Sequence, residues 1–195
     1  MNPSSTPSRT VPPTAATGAP PLRPLLQRVA LPALVTLGIT LVRVFGELGS
    51  LPDWLVNRSA GGGGALIGIS WLPPLLGGWF AREIAGKSER PKRELAKTLI
   101  AYGFLARLPV FALTWIAEVR GWQETHLTKY GPGGPESYPA TLAGRLGAAA
   151  AAQLGFWVFA WTLGSGMLVG WLYLRQRAKA AAPGAGTTGA SGRAA

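Results

Sequence analysis

Residues 98–117 read TLIAYGFLARLPVFALTWIA, an apolar run of twenty residues. A helix of that length rises about 30 Å at about 1.5 Å per residue, which matches the hydrocarbon core of a bilayer. One formal charge, Arg107, interrupts the run at its middle, and Pro109 follows two residues later. The stretch therefore predicts a transmembrane helix with a cation and a missing backbone hydrogen bond near the midplane.

The distribution of charge along the rest of the chain is that of a membrane protein. Only 14% of the residues are charged and 48% are apolar, and the charges gather in short blocks between long uncharged runs. The net charge of +11 does not indicate nucleic-acid binding, because the basic residues flank apolar runs instead of alternating with exposed aromatics. The lack of cysteine excludes disulfides and thiol chemistry, and the single histidine, His126, cannot form a histidine metal cage within one chain. We therefore expect no metal and no cofactor.

Three further apolar runs complete a predicted all-α bundle of four transmembrane helices. The spans are placed at about residues 29–48, 64–81, 98–117 and 149–174, within a membrane domain that covers residues 25–177. Residues 1–24 and 178–195 are rich in Pro, Ser, Thr, Ala and Gly, and we expect both tails to be disordered. An uncleaved signal anchor is favoured over a cleaved signal peptide, because the charged leader is long and no small-x-small site follows the apolar run.

The first span is the least regular of the four. It is apolar for only fourteen residues, 29–42, which is short for a crossing. We favour a helix that continues to Leu48, with Arg43 and Glu47 paired one turn apart near the outer interface. The alternative adds residues 25–26 at the start and lets Arg28 reach the interface.

The orientation follows from the distribution of Lys and Arg. The N-terminal tail, the linker 82–97 and the C-terminal tail hold thirteen of the nineteen Lys and Arg residues, and the other two loops hold four. The positive-inside rule therefore predicts that both termini are cytoplasmic. We expect a location in the plasma (inner) membrane.

The strongest candidate for function is the polar site around Arg107, because a charge at mid-membrane normally faces a bundle interior or a cavity. Pro73 and Pro74, at the centre of the second span, are expected to kink or break that helix and to free the carbonyls of Ile69 and Ser70. In one interpretation the guanidinium bonds these carbonyls and is structural. In the other it lines a cavity and binds an anion. The full candidate site comprises Arg107, Arg43, Glu47, Ser70, Pro73, Pro74 and Pro109.

Rows of small residues predict close helix packing. Ala143, Gly147, Ala151 and Gly155 recur every four residues along the last span. The same spacing occurs in two glycine pairs, Gly64 with Gly68 and Gly166 with Gly170.

No other pattern carries a strong chemical signal. Glu118, Glu124 and His126 are interpreted as residues of a solvated outer loop, since their spacing does not fit a helical zinc site. Ser165 lies between two glycines, but a nucleophilic serine needs a base and none is near in the sequence. The basic linker suits anionic lipid headgroups, although orientation alone explains its charge.

Taken together, these features predict a non-enzymatic integral membrane protein, a scaffold or accessory subunit that packs through Gly/Ala helix faces. Its expected partners are the bilayer and either further copies of itself or another membrane protein. The alternative is a permeation module for a small solute or ion, with a mid-membrane anion site at Arg107. A membrane enzyme ranks third.

Overall fold

The computed structural model describes residues 22–49, 71–122, 127 and 141–181. This part of the chain is helical and contains no strand. Its helices are α1 (Leu22–Leu48), α2 (Leu72–Ile84), α3 (Pro91–Arg120) and α4 (Leu142–Ala181). The α4 helix is continuous, but it is wound as a π-helix over Ala151–Ser165 and as an α-helix on either side. Three of them, α1, α3 and α4, are long and apolar enough to cross a membrane. The expectation of an all-α protein with helices long and apolar enough to cross a membrane is thus confirmed for the described residues.

The central element is α3, which contains the stretch quoted above and packs against each of the other three helices. Its buried residues recur every three or four positions and form one continuous stripe. The stripe comprises Leu95, Thr98, Leu99, Tyr102, Gly103, Ala106, Arg107, Val110, Thr114, Ala117 and Glu118. Two of these residues are threonine and two are charged, so the face that organises the bundle is partly polar.

Most helices are longer than the predicted spans, for local reasons. The α3 helix begins at Pro91, ahead of Thr98, because proline fits the first helical position and Glu94 in the first turn interacts favourably with the helix dipole. The α4 helix begins at Leu142, where the Thr141 hydroxyl accepts a hydrogen bond from the Gly144 amide at 3.1 Å. Residues 22–24 and 178–181, which were expected to lie in the tails, belong to α1 and α4.

The second helix is described from Leu72 to Ile84, whereas the predicted span was 64–81. Pro73 and Pro74 stand in its first turn, where a missing backbone N–H leaves no hydrogen bond unmade. The double proline thus marks the beginning of the described helix. Residues 64–70 lie outside the described residues.

The helices bring four segments together at one end of the bundle, which we call the basic end: the beginnings of α1 and α3 and the ends of α2 and α4. Arg28 Nε lies 3.6 Å from Glu83 Oε2, which joins the beginning of α1 to the end of α2. Lys92 at the beginning of α3 and Arg175 near the end of α4 line one groove. Consecutive helices therefore run in opposite directions.

The apolar core consists of two clusters separated along α3. The larger one lies towards the basic end and includes Phe80, Leu99 and Ala106. The smaller one includes Val44 and Val110 and lies towards the opposite end. Arg107 stands between them in the sequence of α3, so a polar layer separates the two clusters.

Glycines allow α2 and α4 to cross in close contact. A Cβ atom added to Gly77 would overlap the backbone carbonyl group of Gly166. A Cβ atom at Gly170 would lie 2.8 Å from the Gly77 oxygen and 2.5 Å from Leu95 Cδ2. These helices therefore approach to a distance that only glycine permits.

Candidate intramembrane polar site

Arg107 lies about 24 Å from the beginning of α3, close to its middle, at about 1.5 Å per residue. Its side chain is buried, with only 5% of the residue exposed. Nη1 donates a hydrogen bond to Gln153 Oε1 at 3.2 Å, and Cζ lies 4.2 Å from the centre of the Trp157 ring. Both partners belong to α4. The guanidinium thus joins two helices through an amide hydrogen bond and a cation–π contact.

A second polar contact joins α3 to α1 one to two turns nearer the basic end. The Thr36 hydroxyl donates to the Pro32 carbonyl at 2.9 Å, so its oxygen accepts the hydrogen bond from the Tyr102 hydroxyl at 2.8 Å. Thr40 donates in turn to the Thr36 carbonyl at 2.9 Å. Hydroxyl groups facing the bundle interior are therefore bonded within the protein, as an apolar environment requires.

Arg43 and Glu47, the other charged members of the candidate site, pair with each other. Arg43 Nε donates to Glu47 Oε1 at 2.9 Å, and only 2% of Glu47 is exposed. They lie in the last two turns of α1, at the end opposite the basic end. A buried carboxylate at this depth needs such a partner.

Glu118 was expected in a solvated loop, and that expectation is wrong. The residue belongs to α3 and is buried, and its Oε2 accepts a hydrogen bond from Arg145 Nε of α4 at 3.0 Å. The reason is that α3 continues to Arg120 and α4 already begins at Leu142, so the two helices still face each other at this level. Its other oxygen, Oε1, is buried and has no hydrogen-bond partner among the residues that the structure describes.

The spacing along α3 contains a signal that identifies Glu118. It follows Arg107 by eleven residues and Thr114 by four, so all three lie on nearly the same face of an α-helix. Because Arg107 already marks this face of α3 as buried, the spacing predicts that Glu118 is buried as well. Gln153 and Trp157, in contrast, have no such signal, because their contact with Arg107 depends on the relative register of α3 and α4.

The remaining predicted residues are spread over the bundle. Pro109 is half-buried within α3, Pro73 is buried in the first turn of α2, and Pro74 beside it is half-buried. The predicted carbonyl partners of Arg107, on Ile69 and Ser70, lie outside the described residues, as do Gly64, Gly68, Glu124 and His126.

The two sets of small residues on α4 differ in their surroundings. Gly166 and Gly170 are buried against α2 and α3, and a Cβ atom at Gly166 would lie 2.7 Å from Leu99 Cδ2. At Gly147 and Gly155 no atom of the described part of the chain lies within 4 Å of an added Cβ atom. Ala151 between them is exposed. Gly166 and Gly170 therefore pack the bundle together, whereas Gly147, Ala151 and Gly155 face away from the other described helices.

Ser165, which lies between two glycines in the sequence, is bonded within its own helix. The Ser165 hydroxyl donates to the Trp161 carbonyl at 2.6 Å, one turn earlier in the same helix. Within the described residues, no group of three or more His, Cys, Asp or Glu side chains is placed to hold a metal ion. The arrangement of Arg107, Gln153, Trp157, Tyr102 and Thr36 is suited to joining helices.

Replacing Arg145 by methionine should destabilise the folded protein by about 3 kcal/mol, because Glu118 then loses the guanidinium that its buried carboxylate bonds. Thermal unfolding in detergent measures the loss. The double variant Arg145→Met/Glu118→Gln should be more stable than Arg145→Met alone, since it removes the buried charge. The control is Arg120→Met, because Arg120 is exposed and lies in the same turn of α3 as Glu118. This variant should change the unfolding temperature little. Equal losses of stability in Arg145→Met and Arg120→Met would contradict a stabilising contact between Arg145 and Glu118.

A comparison of the chain with protein-family models, curated proteins and solved structures finds no match. Function is therefore argued from the residues themselves.

Proposed function

We propose that this chain is a non-enzymatic scaffold or accessory subunit of a membrane, which packs against another copy or a partner membrane protein through a Gly/Ala face of α4. We further propose four crossings, with both termini in the cytoplasm and residence in the plasma (inner) membrane. A fourth crossing requires that α2 and the residues before Leu72 together form one membrane span.

The alternation of helix direction supports this topology. The beginning of α1 and the end of α4 lie at the same end of the bundle, as expected for an even number of crossings. In the described residues that end carries eleven Lys and Arg residues, whereas the opposite end carries three, of which Arg43 and Arg145 are paired with Glu47 and Glu118. Under the positive-inside rule, the basic end faces the cytoplasm.

The observation that carries the functional proposal is the open space along the first part of α4. A Cβ atom added to Gly147 or Gly155 would meet no atom of the described residues within 4 Å, although both glycines lie in an apolar helix forty residues long. Ala143 and Ala151 continue the same row and are exposed. Small residues in a row let a second helix approach closely, and dispersion and weak hydrogen bonds then hold the pair in lipid.

The contacts of Arg107 favour the scaffold over the permeation alternative. The depth of this cation is what suggested an anion site, but its guanidinium lies against Trp157 and donates to Gln153. An incoming anion would have to compete with these contacts from the same chain. A role for Arg107 in holding α3 to α4 requires no further ligand.

Leucine at the outward glycines should weaken assembly. We expect cross-linking and native gel electrophoresis of membranes to show a species larger than the monomer for the unmodified protein. We also expect Gly147→Leu/Gly155→Leu to reduce that species about tenfold, in line with about 1–2 kcal/mol for a close helix contact.

The matched control is Gly38→Leu in α1, because a Cβ atom at Gly38 also has no neighbour within 4 Å in the described ranges, and Gly38 lies outside the row. It should assemble like the unmodified protein, and all variants should unfold at similar temperatures. A monomer in native membranes, or assembly that survives both leucines, would refute the proposed role.

A further inference from the structure

A groove of about 440 Å³ opens at the basic end, between the beginning of α3 and the end of α4. Four of its lining residues are apolar or aromatic and two are cationic: Pro91, Trp171, Leu174, Ala178, Lys92 and Arg175. Its size is within the range of sites that hold small molecules. The combination of an apolar wall and two cations suits an amphipathic anion.

The two cations of the groove are not neutralised by carboxylates in the described part of the chain. Glu94, the acidic residue of the same turn as Lys92, accepts a hydrogen bond from Lys97 at 3.1 Å instead. Glu83 lies 3.6 Å from Arg28. No ion pair involves Lys92 or Arg175 among these residues, so the groove has an excess of positive charge.

The groove lies across the boundary between apolar and charged sequence. The uncharged run of α4 ends at Leu174, and Arg175 is the first charge after it. Arg175 Cζ lies 5.3 Å from the centre of the Trp171 ring. Tryptophan and arginine at the end of a membrane span mark the level of the lipid headgroups, with the apolar wall on the hydrocarbon side.

We propose that this groove binds one anionic phospholipid. Its phosphate lies between Lys92 and Arg175, and the upper part of an acyl chain follows Trp171 and Leu174. Charge and depth favour this occupant: each Lys or Arg near the surface attracts anionic lipid, and the apolar wall continues into the bilayer. This inference goes beyond the scaffold role and depends only on the membrane location, so it can fail or succeed independently of assembly.

The test compares lipids that share acyl chains and differ in headgroup. Phosphatidylglycerol or phosphatidylcholine is added to the full chain in a neutral detergent. Native mass spectrometry then counts bound lipids, and thermal unfolding reports stabilisation. We expect tighter binding of phosphatidylglycerol, and we expect Lys92→Gln/Arg175→Gln to lower that preference by about tenfold.

The control is Arg82→Gln/Arg93→Gln, which removes the same charge from exposed positions at the same end but outside the groove. It should keep most of the preference. Inorganic phosphate at the same concentration should not stabilise the protein, because it lacks the acyl chain. The inference is overturned if the unmodified protein shows no headgroup preference, if the groove variant keeps it, if the control loses it equally, or if phosphate alone reproduces the stabilisation. Native mass spectrometry of the unmodified protein alone shows whether phosphatidylglycerol binds more tightly than phosphatidylcholine.

Discussion

Gly77→Ala should destabilise the folded protein by about 3 kcal/mol, a large effect for the addition of one methyl group. The added carbon would overlap the backbone carbonyl of Gly166, and a backbone atom within a packed helix cannot move aside as a flexible side chain can. Relief requires α2 and α4 to separate. Separation would also disturb the packing at Gly170 in the next turn of α4, where an added Cβ atom would lie 2.8 Å from the Gly77 oxygen.

The neighbouring residue provides the control. A Cβ atom at Gly78 would lie 3.5 Å from its nearest neighbour, Val169 Cγ1, which is an ordinary contact. Gly78→Ala should therefore leave the unfolding temperature unchanged or raise it, because alanine favours a helix by up to about 1 kcal/mol over glycine. Thermal unfolding of both variants in one detergent measures the difference. Similar behaviour of the two variants would contradict the close crossing of α2 and α4.

The second large effect concerns the contact between Arg107 and Gln153. Gln153→Leu should destabilise the protein by about 2 kcal/mol, because a buried guanidinium loses a hydrogen-bond acceptor. Arg107→Met should have a smaller cost than Arg107→Ala, since methionine keeps most of the apolar volume against Trp157. The double variant Arg107→Met/Gln153→Leu should be more stable than Gln153→Leu alone, as expected when a buried polar pair is replaced by apolar side chains.

A double-mutant cycle measures the coupling between the two residues, with stability determined by unfolding in detergent. Thr162→Val is a suitable control, because it alters another buried polar residue of α4. It should show no coupling to Arg107. Additive losses for Arg107→Met and Gln153→Leu would mean that the hydrogen bond between them contributes nothing to the fold.

The location of the membrane segments could be predicted because it depends on local composition. Long uncharged runs bounded by Lys and Arg identify apolar helices before any contact is known. The ends of the helices were harder to predict. Residues 91–97 are charged and were assigned to a linker, yet Pro91 begins a helix there, and Leu95 is fully buried against the rest of the bundle.

Arg107 could be identified from the sequence because a lone charge in an apolar run is rare and costly. Its partners could not. Gln153 and Trp157 are forty-six and fifty residues away, and only the register between α3 and α4 brings them to the guanidinium. Likewise Gly166 and Gly170 were recognised by their spacing, whereas Gly77, their counterpart on α2, has no glycine four residues away.

Glu118 illustrates how a local interpretation fails. Nearness to a Gly- and Pro-rich segment suggested a loop, while the helical spacing to Arg107 and Thr114 pointed inward. The helical period would have predicted the buried position of Glu118, because α3 extends past the apolar run and stays in contact with α4 there. Charged residues just beyond an apolar run can therefore belong to the packed face of the same helix.

We propose that Arg107 holds helices together and binds no ligand. The most direct measurement is a thermal-shift screen of the detergent-purified protein against common inorganic anions and carboxylate or phosphate metabolites, with Arg107→Leu measured alongside. We expect no compound to stabilise the unmodified protein more than the variant, which should be folded and less stable. An anion that raises the unfolding temperature of the unmodified protein but not of Arg107→Leu would contradict the claim and establish a mid-membrane anion site.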